Sequence, residues 1–387
     1  MSDVIVDKEV ENYVILMRRY FHENPELSHK ELYTSKKIEE ELKSIGISPV
    51  RIAGTGIIAE IASENKGKCV AVRADMDALP IIEENEVPYK SKNQGVMHAC
   101  GHDAHMAMLL GLAKLLVKYK KKLHGKVRLL FQPAEEEPPG GAIEMIKEGA
   151  LDGVDFIIGQ HVMSSFPSGT IGVYKKEMMA NADEFRIKII GKGGHGAYPH
   201  MSIDPVIVAA MVIVDAQTIT SRRINPINPS VVSFGTIIAG TKNNIIPPYV
   251  EMTGTTRTLD QANRENVKRE LERIISGICN AHNSTYEFEY VKGYNALTNN
   301  EWVSTIIEQS ATEVVGKDRV LHPPPAMGGE DFSNYLTKIP GAYYRLGVGN
   351  DSKGTVSPHH SPTFDIDESA LKYGVEVLYR TVNKLLD

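Results

Sequence analysis

Apolar residues along the chain recur with two different periods. Ile15, Met17, Tyr20 and Phe21 have helical spacing over 7–22, and Ile38, Leu42 and Ile45 have it over 31–45. Short β-rich runs follow at 56–62 (GIIAEIA) and 69–74 (CVAVRA). AMLLGLAKLLVKY at 107–119 predicts a helix with a strongly apolar face. VRLLF at 127–131, a glycine-rich helix start near 140–149 and VDFIIG at 154–159 continue the alternation. Strands alternating with helices predict a largely parallel sheet covered on both faces.

Near residue 183 the order changes. EFRIKIIG (184–191) predicts a strand, and a helix over 204–220 is opened by Asp204 and Pro205. SVVSFGTIIA (230–239) and YVEMTGTTRT (249–258) predict two strands, 260–282 a charged amphipathic helix, and TYEFEYV (285–291) a last strand. The order β-α-β-β-α-β is that of a ferredoxin-like α+β unit. α/β material resumes near 300, so this unit reads as an insertion. The expected domains are 1–182 with 292–387, and 183–291 between them. A chain of 387 residues is long enough for two cores.

Composition narrows the function classes. The chain is 42% hydrophobic and 24% charged, as in a globular protein, and its net charge of −6 argues against a nucleic-acid binder. The start, MSDVIVDKEVENYVILMRRYF, lacks the pattern of a signal peptide, and no segment reads as a membrane span. Cys69, Cys100 and Cys279 are too few for a disulfide framework. The expected location is the cytoplasm.

The candidate chemistry falls at strand ends. CVAVRA runs into Asp75 and Asp77, VRLLF into Glu135, Glu136 and Glu137, and VDFIIG into His161. MHACGHDAHM (97–106) puts Cys100 and His102 ahead of the apolar helix, and SPHHSP adds His359 and His360. In an open α/β sheet such positions converge on one rim, where ligands bind. Singly, each has a plainer explanation: aspartates after strands cap turns, and glutamate runs are solvated faces. Together, cysteine, histidine and carboxylate suit zinc or a neighbouring transition metal better than calcium or magnesium.

Eight segments in order carry a family resemblance: RADMDALP, MHACGHDAHM, FQPAEEEPPGGA, GQHV, GGHGAYPHMSIDP, NIIPPYVEMTGTTRT, GGEDF and HHSPTFDIDE. The chain resembles the dinuclear-metal amidohydrolases of the aminoacylase/carboxypeptidase metallopeptidase group. That group includes hippurate hydrolases, indole-3-acetyl-amino-acid hydrolases and N-acetyl-diaminopimelate deacetylases. The resemblance implies a mostly parallel-sheet catalytic domain with an inserted ferredoxin-like lid and dimerisation domain. It implies two divalent ions per subunit (zinc, manganese, cobalt or nickel) held by Cys100, His102, Glu136, His161 and His360, His359 being the immediate neighbour of the last. It also implies Glu135 as general base, assisted by Asp77, with His195 as the donor to the oxyanion. Asn244 and Arg257 would hold the substrate's free carboxylate. Asp75 stands where more distant relatives have a metal-binding histidine, and GGEDF is expected to play a supporting role. Asp103 and His105 would be hydrogen-bond partners of the ligands.

The function so implied is hydrolysis of an N-acyl amino acid, a small-molecule substrate, by a homodimer paired through 183–291. A carboxypeptidase or dipeptidase on the same centre is the alternative. A phosphoesterase would need a further basic cluster, and a non-enzymatic metal-dependent binder would have no use for Glu135 as a base.

Overall fold

The computed structural model describes residues 5–387. The chain divides into two compact units. The first runs to Lys176 and resumes over Thr298–Pro324 and Asp331–Asp387; the second comprises Glu177–Leu297 with Pro325–Glu330. Pro325–Glu330 belongs with the second because Ala180 N–H donates to the carbonyls of Ala326 (3.1 Å) and Gly328 (3.0 Å).

In the first unit, eight strands follow the order Val50–Ile52, Gly56–Ala62, Lys126–Gln132, Cys69–Asp75, Phe156–Pro167, Gly341–Gly349, Ile171–Gly172 and Val320–Leu321. The four from Lys126–Gln132 to Gly341–Gly349 are mutually parallel. Gly56–Ala62 joins antiparallel on one side and Ile171–Gly172 on the other. Every residue of Cys69–Asp75 and of Gly341–Gly349 is buried, as expected of parallel strands covered on both faces, and this includes the charged residues Arg73, Asp75 and Arg345. The helix His102–Lys118 packs against the sheet and against helices Lys8–Glu23 and Leu371–Leu386.

Two elements extend past their expected ends. The strand expected at 154–159 reaches Pro167, so His161 lies within it rather than after it. Its parallel neighbour Gly341–Gly349 continues alongside and supplies ladder partners as far as Pro167. The helix expected from 107 begins at His102, because Gly101 takes a left-handed φ of 89° and turns the chain directly into it.

The second unit is an antiparallel sheet in the order Ser230–Ala239, Tyr249–Thr258, Asn181–Ile190, Thr285–Lys292. Helices Pro205–Thr218 and Gln261–Ala281 pack on it and on each other, which is ferredoxin-like topology. Burial alternates along Asn181–Ile190, and Phe185, Ile187 and Ile189 enter a core with Val250, Met252, Val267 and Leu271. One helix, Pro205–Arg223, is long and apolar enough to cross a membrane, contrary to the expectation that no segment is. The reason is that it has two apolar faces. Val208, Ala209, Val212 and Ala216 are buried, whereas Ile207, Met211 and Val214 are exposed.

Candidate metal centre

Parallel strands deliver the polar residues to one rim of the first unit. Asp75 ends Cys69–Asp75, Asp77 follows it, and Glu135 and Glu136 follow Lys126–Gln132 after Ala134, whose φ is 51°. His161 projects from the neighbouring strand. Cys100 and His102 flank Gly101, where a Cβ would lie 2.3 Å from Val162 Cγ2, so only glycine lets the loop approach this closely. His360, itself at φ 63°, donates its N–H to Ala99 O at 2.8 Å and so brings the C-terminal loop to the Cys100 segment.

The metal-ligand candidates named from the sequence converge here. Cys100 Sγ lies 3.4 Å from His161 Nε2. Donor atoms of Cys100, His102 and His161 fall within 4.8 Å of one another, as do those of Cys100, Glu136 and His360, and those of His102, Glu135 and Glu136. Cys100 is shared by two of these sets, and His360 Nε2 is 3.2 Å from Glu136 Oε1. His359 turns the other way, its Nε2 3.0 Å from the carbonyl of Val162. Asp77 Oδ2 accepts from Ser28 Oγ (2.7 Å) and from Glu136 N (3.0 Å).

The decisive atom is His102 Nε2. The other ring nitrogen, Nδ1, faces the Asp77 carbonyl at 2.9 Å and must carry the proton. Neutral His102 therefore presents a lone pair at Nε2, which is buried without a hydrogen-bond partner. Its neighbours are Asp75 Oδ2 at 3.8 Å and Glu135 Oε2 at 3.9 Å, which are acceptors too. Lone pairs crowded in this way repel unless a proton or a metal cation stands between them. Burial works against charging His102, yet Asp75 and Asp77 push its pKa up to about 10. Burial, with Glu136 and Glu135 nearby, pushes the Cys100 thiol well above its ordinary value. The His102 shift, upward against its burial, reports a negative field that a divalent cation would satisfy. One thiolate, imidazoles and carboxylates form a donor set that fits such an ion.

His195, Asn244 and Arg257 belong to the second unit. His195 pairs with Ile245 in a short ladder, and Gly196 N donates to Asn244 O at 2.9 Å, so His195 and Asn244 are adjacent. Ala197 N–H donates to His195 Nδ1 at 3.1 Å, which leaves the proton of the neutral ring on Nε2. Arg257 stands on Tyr249–Thr258, where Nη1 donates to the Thr256 carbonyl at 3.0 Å. Burial lowers the pKa of this guanidinium.

Sequence reasoning passed over Ser28 and Arg73. Ser28 had only its place in HENPELSHKE to recommend it. Arg73 did carry a signal: a cation inside a buried parallel strand must have partners.

The model of peptidase family M20/M25/M40 matches residues 71–384. Thermostable carboxypeptidase 2 of Saccharolobus solfataricus is 45% identical over 95% of this chain and 94% of its own. An N-acyl-L-amino acid amidohydrolase of Geobacillus stearothermophilus is 47% identical over 75% of this chain and 79% of its own. Among solved structures, a Bacillus subtilis dinuclear metal binding peptidase from the M20 family superposes with a TM-score of 0.88, at 35% identity, over 98% of this chain and 99% of that one. The chain therefore belongs to peptidase family M20/M25/M40 and is a metal-dependent hydrolase of amide bonds.

Proposed function

We propose that the enzyme cleaves N-acyl amino acids to a carboxylic acid and a free amino acid, with two divalent ions held by Cys100, His102, Glu136, His161 and His360. The observation that carries this reading is the unpartnered His102 Nε2 among carboxylates, with Cys100 shared between two ligand sets. Zinc, manganese, cobalt and nickel all suit these donors. Ions bound there would polarise the scissile carbonyl and make hydroxide available near neutral pH.

The remaining roles are those that the family resemblance implies, each assigned to a residue present in this chain. Glu135 is a buried carboxylate beside the ligands; it takes the attacking water's proton and returns it to the leaving nitrogen. Asp77 holds His102 by its carbonyl and Glu136 by its carboxylate. His195, with its proton on Nε2, donates to the developing oxyanion. Asn244 and Arg257 bind the substrate's carboxylate, for which the guanidinium offers a planar fork.

The Geobacillus relative's name supports an N-acyl amino acid as substrate. The Saccharolobus relative favours a second reading, carboxypeptidase activity on the same centre. A homodimer paired through the second unit is part of the proposal, supported by the exposed apolar face of Pro205–Thr218. So is a cytoplasmic setting, which three free, buried cysteines favour.

The test is Glu135→Gln, assayed on N-acetyl and N-benzoyl amino acids and on dipeptides, each with free or amidated carboxylate. Turnover should fall by about 10²–10⁴-fold with metal content unchanged. Full activity in the variant would remove Glu135 as the base, and indifference to the carboxylate would remove the Arg257 clamp. Preference for dipeptides over acyl amino acids would favour the carboxypeptidase reading.

A further inference from the structure

Beneath the ligands lies a set of buried polar residues that the reaction does not use. Asp331, from the GGEDF segment, accepts from Arg73 Nη2 at 2.7 Å, from Gln132 Nε2 at 2.7 Å and from Ala142 N at 3.0 Å. Arg73 is held along its whole guanidinium. Its Nε donates to Gln132 Oε1 at 2.9 Å, and its Nη1 to Tyr343 Oη at 3.2 Å and to Asp75 Oδ2. The other Asp75 oxygen lies 2.6 Å from His105 Nδ1.

From there the protonation pattern is forced. Val162 N–H donates to His105 Nε2 at 2.9 Å, so that nitrogen carries a lone pair and the proton sits on Nδ1, facing Asp75. The carbonyl of the same Val162 can only accept, and it receives His161 Nδ1 at 2.6 Å and His359 Nε2 at 3.0 Å. His161 is thereby left with its Nε2 lone pair directed to Cys100 Sγ at 3.4 Å. One chain of hydrogen bonds runs from Asp331 and Arg73 through Asp75, His105 and the Val162 peptide to His161.

We propose that Asp75 and His105 are positioning residues of the metal centre: anchored by Arg73 and Asp331, they lock the Val162 peptide and so set which nitrogen of His161 faces the ion. This rests on the reading of His161 as a ligand. It gives Asp75, whose part the sequence left open, a task at the centre. A buried ion pair kept only for stability would leave metal binding untouched when altered. A relay that orients a ligand would not, and such partners are typically worth about 10–100-fold in metal affinity.

The test is cobalt titration of the metal-free full-length protein, followed by the cobalt–thiolate absorption that Cys100 would produce. Asp75→Asn and His105→Asn are compared with the wild type, their folding checked by circular dichroism. The asparagine amide at 105 can still donate to Asp75 but offers nothing at the Nε2 position for Val162 N–H. Affinity about 10–100-fold weaker with an altered absorption band is the expected result for each variant. Folded variants with wild-type affinity and band would overturn the proposal. A wild type without thiolate absorption would instead fail the metal-centre reading and take the relay down with it. Should neither variant fold, ¹⁵N-histidine spectra of the wild type decide: His105 and His161 must both be Nδ1–H tautomers, and Nε2–H at either overturns the relay.

Discussion

Single residues at the centre owe their placement to backbone conformations that most side chains avoid. Gly101, Ala134 and His360 all have positive φ, and each adjoins or is a residue of the ligand cluster. Gly101→Ala should be costly twice over, through its φ of 89° and through a Cβ placed 2.3 Å from Val162 Cγ2. We expect a loss of about 1–3 kcal/mol in urea unfolding, and weaker metal binding because Cys100 and His102 move with the turn. Unchanged stability and affinity would show that the loop relaxes freely. The same turn explains why this part of the site was legible in sequence: Cys, Gly and His are consecutive, so their proximity needs no fold. His359 and His360 were not separable in the same way. Which of two neighbours meets Glu136 depends on the φ of 63° at His360, and residue type carries no trace of that. Arg73 and Asp331 are 258 positions apart along the chain, so their pairing awaited the sheet.

At the scale of elements, apolar runs located Lys126–Gln132, Cys69–Asp75 and the start of Phe156–Pro167, but not the equally buried Gly341–Gly349, where Tyr343, Tyr344 and Arg345 interrupt the apolar pattern. Their ends were harder to read. Phe156–Pro167 continues through polar Gln160 and His161 because its neighbour pairs with it there, and a partner strand is invisible from local sequence. Helix entries show the opposite case, in which local chemistry suffices: Asp204 accepts from Val206 N at the expected start of its helix. Asp367 does comparable work at the turn leading into helix Leu371–Leu386. It accepts from Ser369 N at 3.1 Å and Ser369 Oγ at 2.8 Å, and from Lys353 Nζ at 2.6 Å and Asn350 Nδ2 at 2.7 Å. Burial alone would raise its pKa, but Lys353, Asn350 and Ser369 together hold it well below the ordinary carboxylate value. A depressed folded-state pKa means stability that is present above the unfolded value and is lost as pH falls through the folded one. Asp367→Asn should therefore cost about 1–3 kcal/mol at neutral pH, with the deficit shrinking once the pH drops below about 4. Urea midpoints measured down the acid range would check this, and a deficit independent of pH would exclude the charge as its source.

For the whole molecule, the apolar helix of the second unit is the feature that one chain leaves unexplained. Pro205–Thr218 uses one face to build the core, while Ile207, Met211 and Val214 are 52%, 42% and 72% exposed on the other. Ser230–Ala239 is an edge strand of the same sheet, and its Ile237 and Ile238 are exposed as well. A helix that is apolar all round is normally covered all round, and an open apolar edge strand invites pairing. A second copy of the chain presenting the same surfaces about a two-fold axis would cover both. Membrane insertion would use the same hydropathy, but it would have to strip Val208, Ala209, Val212 and Ala216 from the core they build. Val214→Asp separates these cases because the side chain is solvent-facing within one chain, so the charge should cost the fold little. In the dimer it would be buried unpaired, at a cost of several kcal/mol. Light scattering should then show the dimer of the wild type giving way to a folded monomer. If turnover falls with it, the centre depends on the second copy, and His195 is the residue of the second unit that the partner would supply; if the monomer keeps full activity, each chain completes its own site. A wild type that is already monomeric would leave the apolar face without a two-fold partner and end the dimer proposal.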